Sequence, residues 1–200
     1  MINRPNNWND VQEFADRPKL PLDAYVGKVK KVAVQSFGDS QQLCILFDIA
    51  EGEYRGFFDR EFKANTMQDK KWKGVLRVWI PKDDGSEQDE WTKSVFKGFV
   101  TSFEKSNPGY KWDWNEASLV GKMFGVLFRN EEWDYNGKTG WAVRPFRAIS
   151  ADRVREGDYT LPNDKPLKNK TESSYSDPYA MQTSNNSGFA ELEDDDELPF

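Results

Sequence analysis

The chain has no histidine, a single cysteine and no apolar run approaching the length of a membrane span. Without histidine there is no imidazole acid–base chemistry, no Cys-His or Ser-His nucleophile pair, and none of the usual zinc sites. Cys44 alone allows no intrachain disulfide, which points to an intracellular setting. The opening residues, Met1 to Asn7, lack the apolar stretch of a secretory signal, so the expectation is a cytoplasmic protein that does not enter a membrane. Cys44 lies in the middle of a strand-like run and reads as core rather than nucleophile.

Positive charge is also in deficit, with 28 basic against 34 acidic residues and a sequence pI near 4.9. The deficit is local. Residues 161–200 hold three lysines and nine acids, the whole net charge of −6, and the other 25 basic and 25 acidic groups cancel. A low pI that belongs to one end of the chain leaves room for a basic face elsewhere. What is abundant is tryptophan: all eight lie before residue 142, enough rings to serve both a core and base stacking.

Along the chain, residues 8–15 read as a short helical turn capped by Asn7, ended between Pro18 and Pro21. From Tyr25 to Val34 the apolar positions change phase across Lys30-Lys31, which implies a bulge or sharp bend in a strand that serves two sheets. Leu43, Ile45, Phe47 and Ile49 alternate as a strand with one buried face. After the turn at Glu51-Gly52, residues 54–58 read as renewed extended structure with Gly56 as a bulge. Another strand is expected from Trp72 to Ile80, stopped by Pro81. Trp91, Val95, Phe96, Phe99, Val100 and Phe103 recur at helical spacing up to Asn107-Pro108-Gly109. Residues 123–129 and 140–149 read as strands joined by a hairpin around Asn136-Gly137, followed by a short helix that Ser150 caps and Gly157 ends. From Leu161 onward Pro, Asn, Ser, Lys and acids replace periodicity, the signature of disorder.

That order predicts a mainly β protein: an OB-fold-like five-stranded barrel with one helix between strands 3 and 4, and a disordered acidic tail. Residues 1–21 would be an N-terminal arm, 22–160 the nucleic-acid-binding domain, 161–193 a linker and 194–200 an acidic tip. Other small barrels or an open α+β sheet share the order of elements.

A single-strand binder needs basic residues for phosphates and flat rings for bases on one face. The strand at 72–80 places Lys73, Val75, Arg77 and Trp79 on one side. The hairpin presents Trp133, Tyr135 and Lys138, although Glu131, Glu132 and Asp134 count against it. Arg144 and Phe146 share a face of the last strand, and Arg55 and Phe57 are further basic and aromatic candidates. Trp112 and Trp114 read as a lid over the barrel.

The final residues, Asp194, Asp195, Asp196, Glu197, Leu198, Pro199 and Phe200, put an acidic run and an apolar hook on one end. Four successive carboxylates do not enter a core, and Pro199 holds the last pair extended for capture in a basic-rimmed pocket. This ending resembles the C-terminal tip of bacterial single-stranded DNA-binding proteins, in which acids precede Ile or Leu and then Pro-Phe. Glu197 is a conservative departure. The body, through Glu51-Gly52-Glu53-Tyr54-Arg55-Gly56 and Ser106-Asn107-Pro108-Gly109-Tyr110, is similar over about residues 20–160 to the single-stranded DNA-binding proteins of phages and prophages of Gram-positive bacteria. The resemblance implies binding of single strands exposed in replication, recombination or repair, with partner proteins recruited through the tip, in a bacterial cell or phage-infected host. The body does not match the cellular protein, so that protein's tetramer does not carry over and a homo-oligomer stays open.

No cofactor, metal or catalytic residue is expected. Two rivals remain: an adaptor that uses the tip to engage host replication or repair proteins without touching DNA, and a Mg²⁺-dependent nuclease built from Asp48, Glu51, Glu53 and Asp59, scattered acids being the weakest form of that signal. RNA is an alternative ligand, because stacking grooves tolerate either sugar.

Overall fold

Five antiparallel strands, β1 (Ala24–Phe37), β2 (Ser40–Ile49), β3 (Val75–Ile80), β4 (Met123–Tyr135) and β5 (Lys138–Ile149), form one sheet in the order β3-β2-β1-β4-β5. The structure, a computed structural model, describes residues 2–10 and 18–167. The α-helices are α1 (Phe57–Ala64) after β2, α2 (Glu87–Ser106) after β3 and α3 (Ala151–Glu156) after β5. The phase change in β1 is a register shift against β2 between Val29 and Lys31. Ahead of it β1 pairs with both β2 and β4; beyond it, with β2 alone. One strand thus joins two halves of the sheet. The outer strands β3 and β5 approach each other but share no hydrogen-bonded ladder.

The inner face carries the core. Phe47, Phe103, Phe124 and Phe128 are fully buried with Ile45, Leu76, Leu119 and Val126, each ring or branched chain worth roughly 1.5–3 kcal/mol of burial. α2 supplies Phe96, Phe99 and Phe103 at helical spacing, with Phe103 stacked on Phe124 at 4.7 Å. Its start is fixed by Ser86, whose hydroxyl accepts from the Asp89 amide. Its end is tied to β4, because the Asn107 side chain donates to Phe103 O and Met123 O and accepts from Met123 N. Trp91, expected on the apolar stripe, is exposed. β2 departs from its alternation differently: both faces are buried, since Cys44 and Leu46 pack with Val75 and Trp72 on the side away from the main core.

Residues 54–58 are not extended. Gly56, in the left-handed region at φ 71°, precedes α1, and the helix start is capped from another element. Asp48 on β2 accepts from the Phe58 amide at 3.0 Å and the Asp59 amide at 3.2 Å. β3 is shorter than read, starting at Val75, although Gly74 O still accepts from Phe47 N. The last two strands are longer than read, because Asn136 and Gly137 at φ 51° and 72° make a two-residue turn that matches strand twist.

α3 follows Ser150 as read, but the Ser150 side chain makes no cap bond; Ser106 of α2 accepts from the Ala151 amide instead. α3 covers the outer face, where Ala24, Leu127 and Ile149 pack with Val154 and Tyr159. Residues 161–167, read as linker, belong to the body. The Lys165 amide donates to Asn130 O at 2.8 Å and Lys165 O accepts from Glu132 N at 2.9 Å, so this segment pairs with the stretch of β4 that β1 leaves free. At the other end, Leu20 is buried in the core and residues 6–10 form a turn. The rest of the expected N-terminal helical turn, 11–15, lies outside the described residues, as do 168–193 of the linker and the whole tip, 194–200.

Candidate nucleic-acid interface

Antiparallel pairing sets rows of side chains across the outer face of β1, β2 and β3. Trp79, Gln42 and Gln35 form one row, Arg77, Cys44 and Ala33 the next, and Val75, Leu46 and Lys31 the third. Trp79 is 37% exposed, and Phe37 meets it edge-on at 5.9 Å. Between the rings and the apolar row lies Arg77, beside the buried Cys44 thiol. That thiol donates to Gln35 Oε1 at 3.0 Å. Burial pushes its pKa up, and neighbouring Arg77 opposes the shift. A cation, two rings and two amides therefore share one surface.

Lys73 does not join this row. It lies ahead of β3, and its ammonium is paired with Glu61 of α1. Trp72 is anchored too: its indole N–H donates to Phe47 O at 3.0 Å, and Lys30 Nζ stands 4.5 Å over the ring. Phe57 is a correction. It is buried in the core against Tyr54 and Phe58, so it offers no ring to a ligand. Arg55 is exposed in the turn before α1, off the sheet, and its carbonyl accepts from Arg60.

The second basic-aromatic surface is the outer face of the β4–β5 hairpin. Tyr135 is opposite Lys138, Trp133 opposite Gly140 and Arg129 opposite Arg144. The Trp133 ring occupies the place where a Cβ on Gly140 would sit, 2.6 Å from its nearest ring atom. Only glycine allows that close approach, and Trp133 stays exposed. A register shift in the β4–β5 pairing leaves Phe146 unpaired between Pro145 and Arg147. Arg129 and Arg147 lie over its ring at 4.1 and 5.1 Å. The three acids of the hairpin are committed locally. Glu131 binds Arg129 at 2.6 Å, Glu132 accepts from Leu167 N, and Asp134 accepts from Gly137 N in the turn.

Sequence reasoning missed Phe37, Gln35, Gln42 and Lys31 on the first surface and Arg129 and Arg147 on the second. Their signal was the partner strand: each becomes a face residue only once the register is known. The lid reading of Trp112 and Trp114 holds for one ring. Trp112 packs on Phe96 and the core, whereas Trp114, at φ 65°, rests on Trp112 at 5.0 Å and is 77% exposed.

Of the acids considered for a metal, Asp48 caps α1, Glu51 is paired with Arg155, and Asp59 with Lys63 and Lys30. Among the described residues no group of three or more ligand-type side chains is placed to hold a metal ion, and no helix is long and apolar enough to cross a membrane. No known family model matches the chain, and no curated protein matches it.

Proposed function

We propose that this protein binds and protects single-stranded DNA during replication, recombination or repair in the cytoplasm of a bacterial cell or phage-infected host, and recruits partner proteins through residues 194–200. The observation that carries the reading is the outer face of β1–β2–β3, where Trp79 and Phe37 stand beside Arg77. Rings for stacking and a cation for phosphate are the two components that binding to single strands requires. The strand order supports it as well. β3-β2-β1-β4-β5, with a helix entering the core between β3 and β4, is the element order expected of an OB-fold, here as a sheet whose edges are β3 and β5. The hairpin residues Trp133, Tyr135, Lys138, Arg144 and Phe146 extend the contact. The tip, by its acids and its Leu-Pro-Phe ending, suits a basic-rimmed apolar pocket on a partner.

Titration with oligo(dT) at two salt concentrations, followed by tryptophan fluorescence, tests the reading. Stacking quenches the signal and added salt weakens binding. Trp79→Ala is expected to cost about 1–3 kcal/mol, the worth of one stacked base, with Arg77→Ala reducing the salt slope. A neutral body is also what an adaptor would have. Absence of quenching at low salt would reject DNA binding in favour of an adaptor that works through its tip alone.

A further inference from the structure

We infer that the outward face of α2 is a self-association surface, on which two copies of this chain pair helix against helix in antiparallel fashion. Positions 87, 91, 94, 98, 101 and 105 alternate by four and three residues, the spacing that keeps side chains on one stripe of a helix. They are Glu87, Trp91, Ser94, Gly98, Thr101 and Lys105, all exposed except the half-buried Thr101. Phe96, Phe99 and Phe103 occupy the opposite side of the helix and face the core. The stripe therefore points away from the sheet and from both proposed ligand faces.

Two residues of the stripe have no use within one chain. Trp91 is 53% exposed, and among the described residues neither its ring nor any other side chain of the stripe makes a hydrogen bond, ion pair or ring contact. An indole left in water forgoes the large burial that its ring area offers. Gly98 sits in the middle of a helix of 20 residues, where glycine is the poorest choice short of proline. A Cβ at that position would meet nothing within 4 Å. Nothing inside the molecule calls for glycine there. A second helix does, because a missing Cβ lets another backbone come close.

The occupant that fits the stripe is the stripe itself. About a two-fold axis level with Phe96, antiparallel pairing sets Ser94 of one copy against Gly98 of the other, Trp91 against Thr101 and Glu87 against Lys105. Each contact occurs twice, as a self-complementary patch requires. Small residues meet at the crossing point, the indoles lie on either side of it, and opposite charges close both ends. A parallel pair would set Glu87 on Glu87 and Lys105 on Lys105, and a partner of one charge sign would match one end only. Val95 flanks the stripe on one side and Lys97 on the other, so the helices close on the Val95 side and diverge where the two lysines would meet. The stripe measures about 30 Å by about 10 Å, short of the roughly 800 Å² a side of a stable interface. The dimer is therefore a weak one, in exchange with monomer.

Sedimentation equilibrium of the full chain over a range of concentrations tests the surface. The parent should pass from monomer to dimer as concentration rises. Glu87→Lys turns two exposed ion pairs into two repulsions and should raise the dissociation constant roughly tenfold. Glu87→Lys with Lys105→Glu should restore it, which only the antiparallel register allows. Trp91→Ala removes two aromatic anchors and should weaken the dimer at least about a hundredfold. Gly98→Gln fills the crossing point while improving helix propensity, so it should give a monomer whose circular dichroism melt is no lower than the parent's. A parent that stays monomeric at every concentration refutes the surface, whether α2 is bare or covered by residues of its own chain. A dimer that survives both Trp91→Ala and Gly98→Gln refutes it as well, because association then uses another face. Failure of the double charge reversal to restore the dimer overturns the antiparallel pairing.

Discussion

Removing the carboxylate of Asp48 should loosen the region that carries α1 without touching the proposed ligand face of β1–β2–β3. The side chain is buried, and its two oxygens accept from the Ile49, Phe58 and Asp59 amides. Lys30 Nζ stands 3.4 Å from Oδ2. Asp48→Ala leaves the first amides of α1 without an acceptor. Loss of a helix cap costs about 0.5–2 kcal/mol, and a buried donor left unsatisfied about 1–3 kcal/mol. The Phe58 amide is enclosed by the core and the Asp59 amide is nearer solvent, so about 2–4 kcal/mol is expected in all. For a body of this size 1 kcal/mol shifts Tm by roughly 2–4 °C, giving a fall of about 4–16 °C. Asp48→Asn keeps one acceptor oxygen and should lose about half as much. Urea denaturation followed by circular dichroism and by tryptophan fluorescence measures both variants, with coincident transitions and an unchanged m-value. A loss under about 0.5 kcal/mol for Asp48→Ala would refute the claim that this strand residue caps the helix.

Two further substitutions probe how α3 is held. Gly125→Ala puts a Cβ 2.6 Å from Val154 Cγ2 and 2.8 Å from Ser150 O; overpacking of this kind costs about 1–3 kcal/mol, and a melting temperature equal to the parent's would show that α3 does not bear on β4 there. Glu51 and Arg155 form a two-pronged pair joining the turn after β2 to α3, and the Arg155 hydrogen bond holds the Glu51 carboxyl below its ordinary value of 4.5. A carboxylate with a lowered folded pKa contributes its full stability above the ordinary value and loses it as pH falls through the lower one. The pair is half-exposed and solvent-screened, so Glu51→Gln should cost only about 0.5 kcal/mol at pH 7; urea melts should show that difference shrinking below pH 4.5, and a gap that stays constant would contradict the assignment.

How much was legible from sequence divides along the range of the interactions. The bulge in β1 was readable because Val29 and Val32 sit on one chain and show the change of phase themselves. α2 was readable for the same reason, its cap Ser86 and its Phe96, Phe99 and Phe103 being local. α1 was not, because its cap is Asp48, ten residues upstream on another element, and the helix begins after a glycine. The extent of the body was misread at Leu161 for a related cause: Pro, Asn, Asp and Lys look like linker, yet Lys165 pairs through its backbone, which carries no composition signal. Phe57 failed as a ligand candidate because two adjacent rings on a short helix both turn inward, which a strand would not allow.

The same distinction decides what the neutral charge of the body means. Equal numbers of acids and bases would argue against a polyanion only if the acids lay on the proposed binding faces. They are drawn elsewhere: Asp48 into the cap of α1, Glu61 onto Lys73, Glu104 onto Lys111, Asp134 into the hairpin turn, and Glu132 onto the segment that follows α3. In the paired rows of the hairpin Arg129 faces Arg144, with Glu131 bound to Arg129. Charge on such a face acts over about a Debye length, roughly 10 Å at 0.1 M salt, so its reach is the hairpin and not the whole molecule. The six surplus negative charges belong to residues 161–200, of which Asp164 bonds Asn130 and Leu167 bonds Glu132 at the base of that hairpin. The acidic stretch is thereby joined at its start to the β4–β5 hairpin, so the low pI says nothing of the charge on the proposed binding faces.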